Sequence, residues 1–315
     1  MDVLADVVSA MRTGPAFSGR TELSSPWGLR FTQAVGAQFH VVIHGSCWLL
    51  PPHEGPPLAL VPGDVVLLPQ GLPHALADHP QTPLIDMPAL FTDEAVFPSG
   101  HTAEGTGARS VVLCGVYQWN RERPHPMFRG LPPVLHLPAN PGAHYALHTV
   151  VTLLREEIEA RRPGSTAVVP ALVDTLFVLI LRSWLDEQST HPEQRRWSQA
   201  LSDTVVRHAL EVMHADPGRG WTVAELATAV GLSRAAFARR FTTAVGEPPL
   251  NYLTRWRMTT AARLLRTDSA PVASIAQQVG YTSEFAFAKA FKRDYGIAPG
   301  HYRRRTASKL VPSGR

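Results

Sequence analysis

The chain contains one local sequence plan twice, and this repeat constrains its fold more than any other feature. The first copy is VAELATAVGLSRAAFARRFTTAVG, residues 223–246, and the second is VASIAQQVGYTSEFAFAKAFKRDYG, residues 272–296. In each copy a short amphipathic stretch ends at a glycine, a serine follows, and two phenylalanines then stand four residues apart. Because spacings of three and four residues are typical of helices, each copy predicts two helices joined by a tight turn.

Each residue type in the repeat has a physical reason to stand where it does. Gly231 and Gly280 accept the positive φ that ends a helix sharply, and Ser233 and Ser283 are suited to cap the helix that follows. Side chains four residues apart lie on one face of a helix, so the paired phenylalanines anchor the second helix to a core and expose its opposite face. These pairs are Phe237 with Phe241, and Phe287 with Phe291.

Further helices are expected around the two copies. A helix over 198–214 precedes the first copy, and Thr222 with Glu225 three residues later forms a predicted capping box. A helix over about 250–267 fills the interval between the copies and spans about 27 Å at 1.5 Å per residue. Two hairpins on such a connector could present their exposed faces to adjacent turns of a DNA duplex, which lie about 34 Å apart.

The charge distribution favours a polyanionic partner for this part of the chain. Residues 195–315 contain 19 Lys and Arg against 8 Asp and Glu, whereas residues 1–194 contain 11 against 18. A plain helical bundle is the alternative interpretation, but it does not explain why the faces opposite the phenylalanines carry cations. These cations are Arg234, Arg239, Lys289 and Lys292. We therefore expect double-stranded DNA as a partner.

Residues 198–305 resemble the DNA-binding domain of AraC-type regulators, and FKRDYGIAPGHYRR, residues 291–304, is similar to the signature of that family. By position, the resemblance implies that two recognition helices face DNA grooves. In the first helix the groove-facing residues would be Ala235, Ala238 and Arg239, and in the second Glu284, Phe285, Ala288 and Lys289. Other cations are interpreted as phosphate contacts or surface charge: Arg234, Arg240, Lys292, Arg293, Arg303 and Arg304.

The groove-facing set departs from the polar residues that often read bases. Arg239 is the best candidate for a bidentate contact with guanine, which is worth about 1–3 kcal/mol of discrimination. The alanines and Phe285 leave two options open, contact with thymine methyl groups or recognition of DNA shape.

The first half of the chain has a different pattern. From residue 21 to about 138, short apolar runs such as FHVVIHG and SVVLCGVYQW are bounded by Pro and Gly, which predicts an antiparallel sandwich or barrel. The segment over 124–137 is rich in proline and is interpreted as the path from barrel to helices. The start, MDVLADVVSAMR, is read as a short amphipathic helix rather than a secretory signal.

Two apolar helices are expected after the barrel. Apolar residues recur at helical spacing from 147 to 158, RRPG ends that helix, and a second helix runs over about 167–186. Pro170 and Asp174 interrupt the second helix, so we do not expect it to span a membrane. The pair has more apolar surface than one partner helix covers, which favours homodimerisation, with packing against the barrel as the alternative.

These patterns predict an α+β chain in two domains, an N-terminal β-barrel with a helical hairpin and a C-terminal all-α domain with two helix-turn-helix units. Because residues 63–74 resemble a cupin motif, the barrel is expected to be cupin-like. The predicted boundaries are a sensor domain over 1–138, a hairpin over 139–186, a polar linker over 187–197, a DNA-binding domain over 198–305 and a tail over 306–315.

The stretch GDVVLLPQGLPH, residues 63–74, resembles the second motif of cupins and would deliver His74 into the barrel. The resemblance, to the cupin version of the ligand-binding half of AraC-type regulators, implies effector binding by His40, His44 and His74. Catalytic cupins carry, in their first motif, a carboxylate and two histidines with one residue between them. Here His40 and His44 are four apart, about 13 Å along a strand, so the usual metal centre is not expected.

Two cysteines give the barrel a second possible chemistry. His40, His74, Cys47 and Cys114 all fall on or beside predicted strands. Imidazole and thiolate are ligands for zinc or another divalent metal, and a thiol beside an imidazole can be a redox sensor. The alternative is that both cysteines are small buried apolar residues.

The function expected from these observations is a cytoplasmic transcription regulator without enzymatic activity. Its cupin domain would sense a small molecule, a metal or an oxidant, and its partners would be DNA, a second copy of the chain and RNA polymerase. The alternative is a metal-dependent cupin enzyme with an accessory DNA-binding domain.

Overall fold

A computed structural model describes residues 2–34, 36–51, 55–87, 102–103, 106–119, 124–129, 131–139, 144–160, 162–186 and 192–310. The chain forms two compact units, one of Gly14–Glu122 with Leu131–Trp184, and one of Met1–Thr13 with Arg123–Gly130 and Leu185–Arg315.

The elements follow in chain order. They are α1 (Val3–Met11), β1 (Arg12–Ser24), β2 (Gly28–Phe31), β3 (Ala37–His44), β4 (Cys47–Leu50), β5 (Leu58–Leu60), β6 (Val65–Leu68), β7 (His74–Ala77), β8 (Ile85–Asp86), β9 (Thr102–Ala103), β10 (Arg109–Trp119), α2 (Pro126–Arg129), β11 (Leu135–Leu137), α3 (Tyr145–Ala160), α4 (Ser165–Asp186), α5 (Pro192–Ser202), α6 (Thr204–Ala215), α7 (Val223–Ala229), α8 (Arg234–Val245), α9 (Pro249–Thr267), α10 (Val272–Gln278), α11 (Glu284–Tyr295) and α12 (Pro299–Leu310).

The strands form two sheets, ordered β11-β6-β3-β10-β1-β9 and β5-β4-β7-β2-β8. The pairs β1–β9 and β2–β8 are parallel, and the pairings of β3 with β6 and β10 and of β4 with β5 and β7 are antiparallel. Apolar side chains from both sheets, among them Phe31, Leu49, Leu68 and Val112, are buried in one cluster. The predicted α+β class and its β-rich first domain are therefore confirmed, although the 13-residue strand β1, interrupted by Gly and Pro, was not predicted.

The cupin-like stretch forms strand, turn and strand, as predicted. β6 is fully buried, and β7 begins at His74. Gly71, in the intervening turn, has a φ of +57°, and a Cβ there would lie 2.3 Å from the carbonyl oxygen of Gly36. Glycine is thus required for the turn that directs His74 into the core.

The two predicted apolar helices are α3 and α4. α3 buries Leu147, Val150, Val151, Leu154 and Ile158, the spacing expected of an amphipathic helix. Of the helices that the structure describes, α4 is long and apolar enough to cross a membrane by length and composition alone. Half of its most apolar stretch is buried, and core helices of soluble proteins meet the same criterion.

The helices of the second unit agree with the predicted repeat and correct its surroundings. The helix predicted over 198–214 is two helices, because Asp203 accepts hydrogen bonds from the amides of Val205 and Val206 and caps α6. The predicted linker over 187–197 overlaps α5, which begins at Pro192, and Trp197 is 4% exposed. The predicted tail over 306–315 begins inside α12, and residues 311–315 lie outside the described residues.

The first helix of the chain belongs to the same compact unit as the two helix-turn-helix repeats. α1 buries Val3, Leu4, Val7, Ala10 and Met11 and contacts α6 and α9. The guanidinium of Arg266, on α9, donates to the carbonyl oxygens of Ala10 and Arg12 at 3.1 and 2.9 Å. The compact units therefore differ from the sequential boundary predicted at residue 138.

Candidate nucleic-acid interface and buried barrel cluster

Both helix-turn-helix units have the local geometry predicted for them. Gly231 and Gly280 have φ values of +71° and +83°. Ser233 and Ser283 accept hydrogen bonds from backbone amides in the first turns of α8 and α11. The hydroxyl of Thr222 accepts from the amide of Glu225 at 3.1 Å, and that carboxylate accepts from the Thr222 amide at 2.8 Å, as a capping box requires.

Buried phenylalanine pairs fix the rotation of the second helix in each unit. Phe237 and Phe241 are 0% exposed, as are Phe287 and Phe291. Their ring centroids are 5.6 and 5.7 Å apart within each pair, a favourable separation for aromatic contact. α8 and α11 thus cannot rotate without exposing two large aromatic rings.

The opposite faces of α8 and α11 carry the predicted groove-facing residues. Ala238 and Ala288 are half-buried, and the others are exposed: Arg234, Ala235, Arg239, Glu284, Phe285, Lys289 and Lys292. In the described part of the chain, the guanidinium groups of Arg234 and Arg239 pair with no carboxylate, which leaves their charges available to a partner.

Two cations expected near phosphates have partners within the protein. Arg240 lies 2.7 Å from the carboxylate of Asp203, and Arg303 donates to the carbonyl oxygen of Ala270 at 2.6 Å. These contacts give both side chains a structural role in the DNA-binding unit.

A chain of hydrogen bonds crosses the interior of the barrel. The Nδ1 atom of His40 is 3.1 Å from the sulfur of Cys114, and its Nε2 atom is 2.7 Å from Nε2 of His74. The Nδ1 atom of His74 lies 2.9 Å from the carbonyl oxygen of Leu72. Strand pairing places Cys114 opposite His40, whereas His40 and His74 belong to different sheets and meet between them.

One set of neutral protonation states satisfies every bond in this barrel cluster, which we define as His40, His74 and Cys114. The carbonyl of Leu72 can only accept, so His74 donates from Nδ1 and accepts at Nε2. His40 then donates from Nε2 to His74, and its Nδ1 atom accepts a hydrogen bond from the Cys114 thiol.

Burial favours the neutral form of each group. It lowers the pKa of His74 to about 4, and burial with the nearby charge of His74 lowers the pKa of His40 well below its usual range. Burial also raises the pKa of the Cys114 thiol, opposed by a hydrogen bond with Thr21. A thiolate is therefore disfavoured in the closed barrel.

The other two predicted barrel residues do not join the hydrogen-bonded chain. Cys47 lies in the same apolar cluster, where burial and then the charge of Asp64 raise its pKa to about 12. His44 is exposed at the end of β3. The register with β10 shifts between Val111 and Val112, and this irregularity interrupts the alternation that would place His44 on the face of His40.

The barrel cluster is not shaped to hold a metal ion. Among the described residues, no three His, Cys, Asp or Glu side chains converge as a metal site requires. The Nε2 atoms of His40 and His74 are 2.7 Å apart, whereas two nitrogens on one tetrahedral zinc are separated by about 3.3 Å. The predicted zinc or other divalent metal does not fit this arrangement.

A second buried polar cluster was missed by sequence reasoning. His214 contacts Asp6 of α1 at 3.2 Å and the hydroxyl of Tyr252 at 2.7 Å, and His125 approaches the same hydroxyl at 3.3 Å. The His214 ring also stacks on Trp256, with centroids 3.7 Å apart. These contacts fasten α1 and the segment before α2 to α6 and α9.

Comparisons with known proteins agree with both units. The chain matches the model described as Cupin over residues 2–186 and the model described as Helix-turn-helix domain over residues 226–305. It is 35% identical to an AraC-like transcription regulator of Streptomyces lividans over 304 residues, 96% of this chain and 98% of the relative. It is 29% identical to the HTH-type transcriptional regulator MtrA of Neisseria gonorrhoeae over 310 residues, 98% of this chain and 100% of the relative.

A third relative is described as a transcriptional activator. The RCS-specific HTH-type transcriptional activator RclR of Escherichia coli is 31% identical over 280 residues, 87% of this chain and 86% of the relative. Because a relative above 30% identity is matched over nearly its whole length, and both domain models match in the expected order, the family is established. The chain belongs to the AraC family of DNA-binding transcription regulators, with an N-terminal cupin domain and a C-terminal helix-turn-helix domain.

Proposed function

We propose that α8 and α11 enter the major grooves of adjacent turns of one DNA site, and that a signal acting on the cupin domain controls this binding. The observation that carries the first part is the matched geometry of the two helices. Each turns a buried phenylalanine pair inward and exposed cations outward. α9, the helix between the two helix-turn-helix units, has 19 residues and is therefore about 28.5 Å long.

Arg239 is the proposed base-reading cation of α8. It is exposed and unpaired within the described residues, and its planar fork of donors matches the O6 and N7 acceptors of guanine. Arg234 and Lys292 supply phosphate or flanking contacts that hold the helices in position without reading sequence. Lys289 is a proposed groove-facing residue of α11.

Arg239→Ala tests this division of roles. The variant should bind a duplex selected from a random pool about 5- to 150-fold more weakly than the unmodified chain, the equivalent of about 1–3 kcal/mol. Its affinity for a scrambled duplex should change much less, and fluorescence anisotropy at fixed salt measures both. Arg240→Ala is the matched control, since it removes the same charge from the next residue, which is paired with Asp203. Equal losses on both duplexes would contradict base reading by Arg239.

The barrel cluster is the proposed point of signal action. The sequence is consistent with a small molecule, a metal or an oxidant as the signal. The geometry of the barrel cluster argues against a metal. Cys47 and Cys114 are free thiols, which supports an oxidant as one candidate signal. The raised thiol pKa values oppose rapid oxidation, so an oxidant would act on a conformation in which Cys47 or Cys114 is more accessible.

Serine substitutions separate an oxidant from a bound small molecule. If an oxidant is the signal, hydrogen peroxide or hypochlorite should change the DNA affinity of the purified chain reversibly, and Cys114→Ser or Cys47→Ser should abolish that change. If both variants respond as the unmodified chain does, oxidation of these cysteines is not the signal. As the control for correct folding, each variant in its reduced state should bind DNA with the affinity of the reduced unmodified chain.

The helical hairpin is the proposed dimer contact. Leu153 of α3 and Val168 of α4 are 44% and 39% exposed, an unusual exposure for large apolar side chains in an otherwise amphipathic pair. Val168→Glu should shift the sedimentation coefficient from dimer to monomer. Thr166→Glu, at an exposed position about 160° around α4 from Val168, should not. A monomeric unmodified chain would contradict this part of the proposal.

The proposed function implies that the protein acts in the cytoplasm, where it binds DNA. The relatives named above are regulators, and we propose that this chain acts by binding and not by turnover. RNA polymerase would be its further partner if it activates transcription.

A further inference from the structure

The second recognition helix carries an aromatic ring that the described part of the protein leaves mostly exposed. Phe285 is 79% exposed and is the second residue of α11. Exposing so large an apolar surface to water is unfavourable, by about 25 cal/mol for each Å². The position therefore calls for a partner that covers the ring.

The packing of α11 fixes the direction in which this ring points. Phe287 and Phe291 are fully buried, and at 100° per residue Phe285 lies about 160° around the helix from Phe287. It stands in the N-terminal turn, the part of a recognition helix that contacts base edges in the major groove. The covering partner is thus the DNA proposed above, and this inference rests on that proposed function.

The neighbours of Phe285 restrict what it can read. Ala288, three residues after Phe285, adds a methyl group on the same face of the helix. Glu284 is a carboxylate that repels phosphate and only accepts hydrogen bonds. The one apolar group on the major-groove edges of the bases is the C5 methyl of thymine. We infer that Phe285 is a specificity residue that packs on thymine methyl groups in the half of the site bound by α11.

The two recognition helices would then recognise different chemical groups on the bases. Aligning the caps Ser233 and Ser283 places Ala235 of α8 at the position of Phe285, and Arg239 at the position of Lys289. The half bound by α8 depends on a guanine contacted by a forked cation. The half bound by α11 depends on apolar contact, so the complete site is asymmetric.

Deoxyuridine substitution tests the inference because it removes the thymine methyl and leaves base pairing unchanged. The probe is a duplex enriched from a random pool by the full-length chain, with each thymine replaced in turn. Loss of one methyl contact should weaken binding by the unmodified chain about fourfold, since burial of one such group is worth about 0.8 kcal/mol. For Phe285→Ala this penalty should vanish at one or two adjacent thymines, and Phe285→Leu should keep part of it.

Two controls make the result specific. Ile85→Ala removes another exposed apolar side chain, 69% exposed on β8, and should leave the deoxyuridine penalties unchanged. Arg239→Ala should lose discrimination at a guanine and keep the penalties at thymine. Because Phe285 packs against no core, its variants should keep the melting temperature of the unmodified chain.

Three outcomes would overturn the inference. The penalties could persist in Phe285→Ala, the variant could lose affinity equally for selected and random duplexes, or it could bind every duplex as the unmodified chain does. In each case Arg239→Ala still reports whether sequence-specific binding exists. If no sequence is enriched at all, the proposed function fails together with this inference.

Discussion

At the scale of single residues, the most consequential groups are polar side chains kept neutral by burial. His40, His74 and Cys114 form one directional set of hydrogen bonds, and adding a proton to either imidazole would place two donors against each other. The barrel interior should therefore resist acid only as long as its imidazoles stay neutral.

The lowered pKa of His74 predicts a pH-dependent stability. Its pKa falls from about 6.5 in an unfolded chain to about 4 in the barrel. The stability that it contributes is present above pH 6.5 and is lost as the pH falls toward 4, because the unfolded chain binds the proton first. The melting temperature of the barrel should decrease from pH 7 to pH 5, and His74→Gln should flatten that decrease in calorimetry.

His44 supplies the matched control for this experiment. It is a histidine of the same β-rich unit, at the end of β3, but it is exposed, so His44→Gln should keep the pH dependence of the unmodified chain. If His74→Gln and the unmodified chain lost stability in parallel, protonation of His74 would not be the cause.

At the scale of elements, the two helix-turn-helix units differ in how much space surrounds their turn glycines. A Cβ at Gly231 would meet nothing within 4 Å, whereas at Gly280 it would lie 2.6 Å from the carbonyl oxygen of Gly218 and 3.1 Å from the guanidinium carbon of Arg257. Both glycines have a positive φ. The two turns therefore share a backbone requirement, and the second adds a steric one.

Alanine substitutions at the two turns should have unequal effects. Gly231→Ala should destabilise the helical unit by about 1–2 kcal/mol, the usual cost of a left-handed non-glycine residue. Gly280→Ala should cost about 1–3 kcal/mol more, because the added methyl group overpacks a backbone carbonyl. Calorimetry of the full chain, in which added DNA shifts the transition of this unit, measures both. Equal losses would show that the surroundings of Gly280 adjust freely.

The docking of α1 is a second feature at this scale. The carboxylate of Asp6 accepts from Nδ1 of His214, a side chain that is 0% exposed. Nε2 of His214 then accepts the hydroxyl proton of Tyr252, whose oxygen can accept from Nε2 of His125. Burial lowers the pKa of His214 while Asp6 opposes that change. The neutral ring thus connects two helices that lie far apart in sequence.

Asp6→Ala should loosen α1 without affecting the barrel. Loss of the acceptor leaves the buried Nδ1–H of His214 without a partner, which costs about 1–3 kcal/mol. Amide hydrogen exchange followed by mass spectrometry should show faster exchange in α1 and in α6 near His214. Peptides from β3 and β10 provide the internal reference, and unchanged exchange in α1 would contradict the importance of this contact.

At the scale of the whole molecule, the uneven charge distribution should govern binding to any duplex. Each phosphate neutralised by a cation contributes about 0.9 to the slope of log affinity against log salt. Lys292→Ala should reduce that slope by about 0.9 and weaken selected and random duplexes alike. Arg182→Ala removes an exposed charge from α4 instead and should leave the slope unchanged. A slope that does not change in Lys292→Ala would exclude this side chain as a phosphate contact.

Local features could be predicted from the sequence, and features that depend on distant pairing could not. The turns at Gly231 and Gly280 follow from a few neighbouring residues, so their positions were correct. The meeting of His40 with Cys114 depends on a strand register, and the exposure of His44 depends on an irregularity in that register. The contact between Asp6 and His214 joins residues 208 positions apart, which no local pattern encodes.

The position of α1 has a consequence for how the protein can be divided. A fragment cut near residue 186 would keep Val3, Leu4, Val7, Ala10 and Met11 but lack α6 and α9, the helices that cover them. The apolar face of its first helix would be exposed to water, so this fragment should aggregate during purification. The complementary C-terminal fragment would expose the surface of α6 and α9 that α1 covers. Supplying residues 1–13 as a separate peptide should therefore improve its solubility.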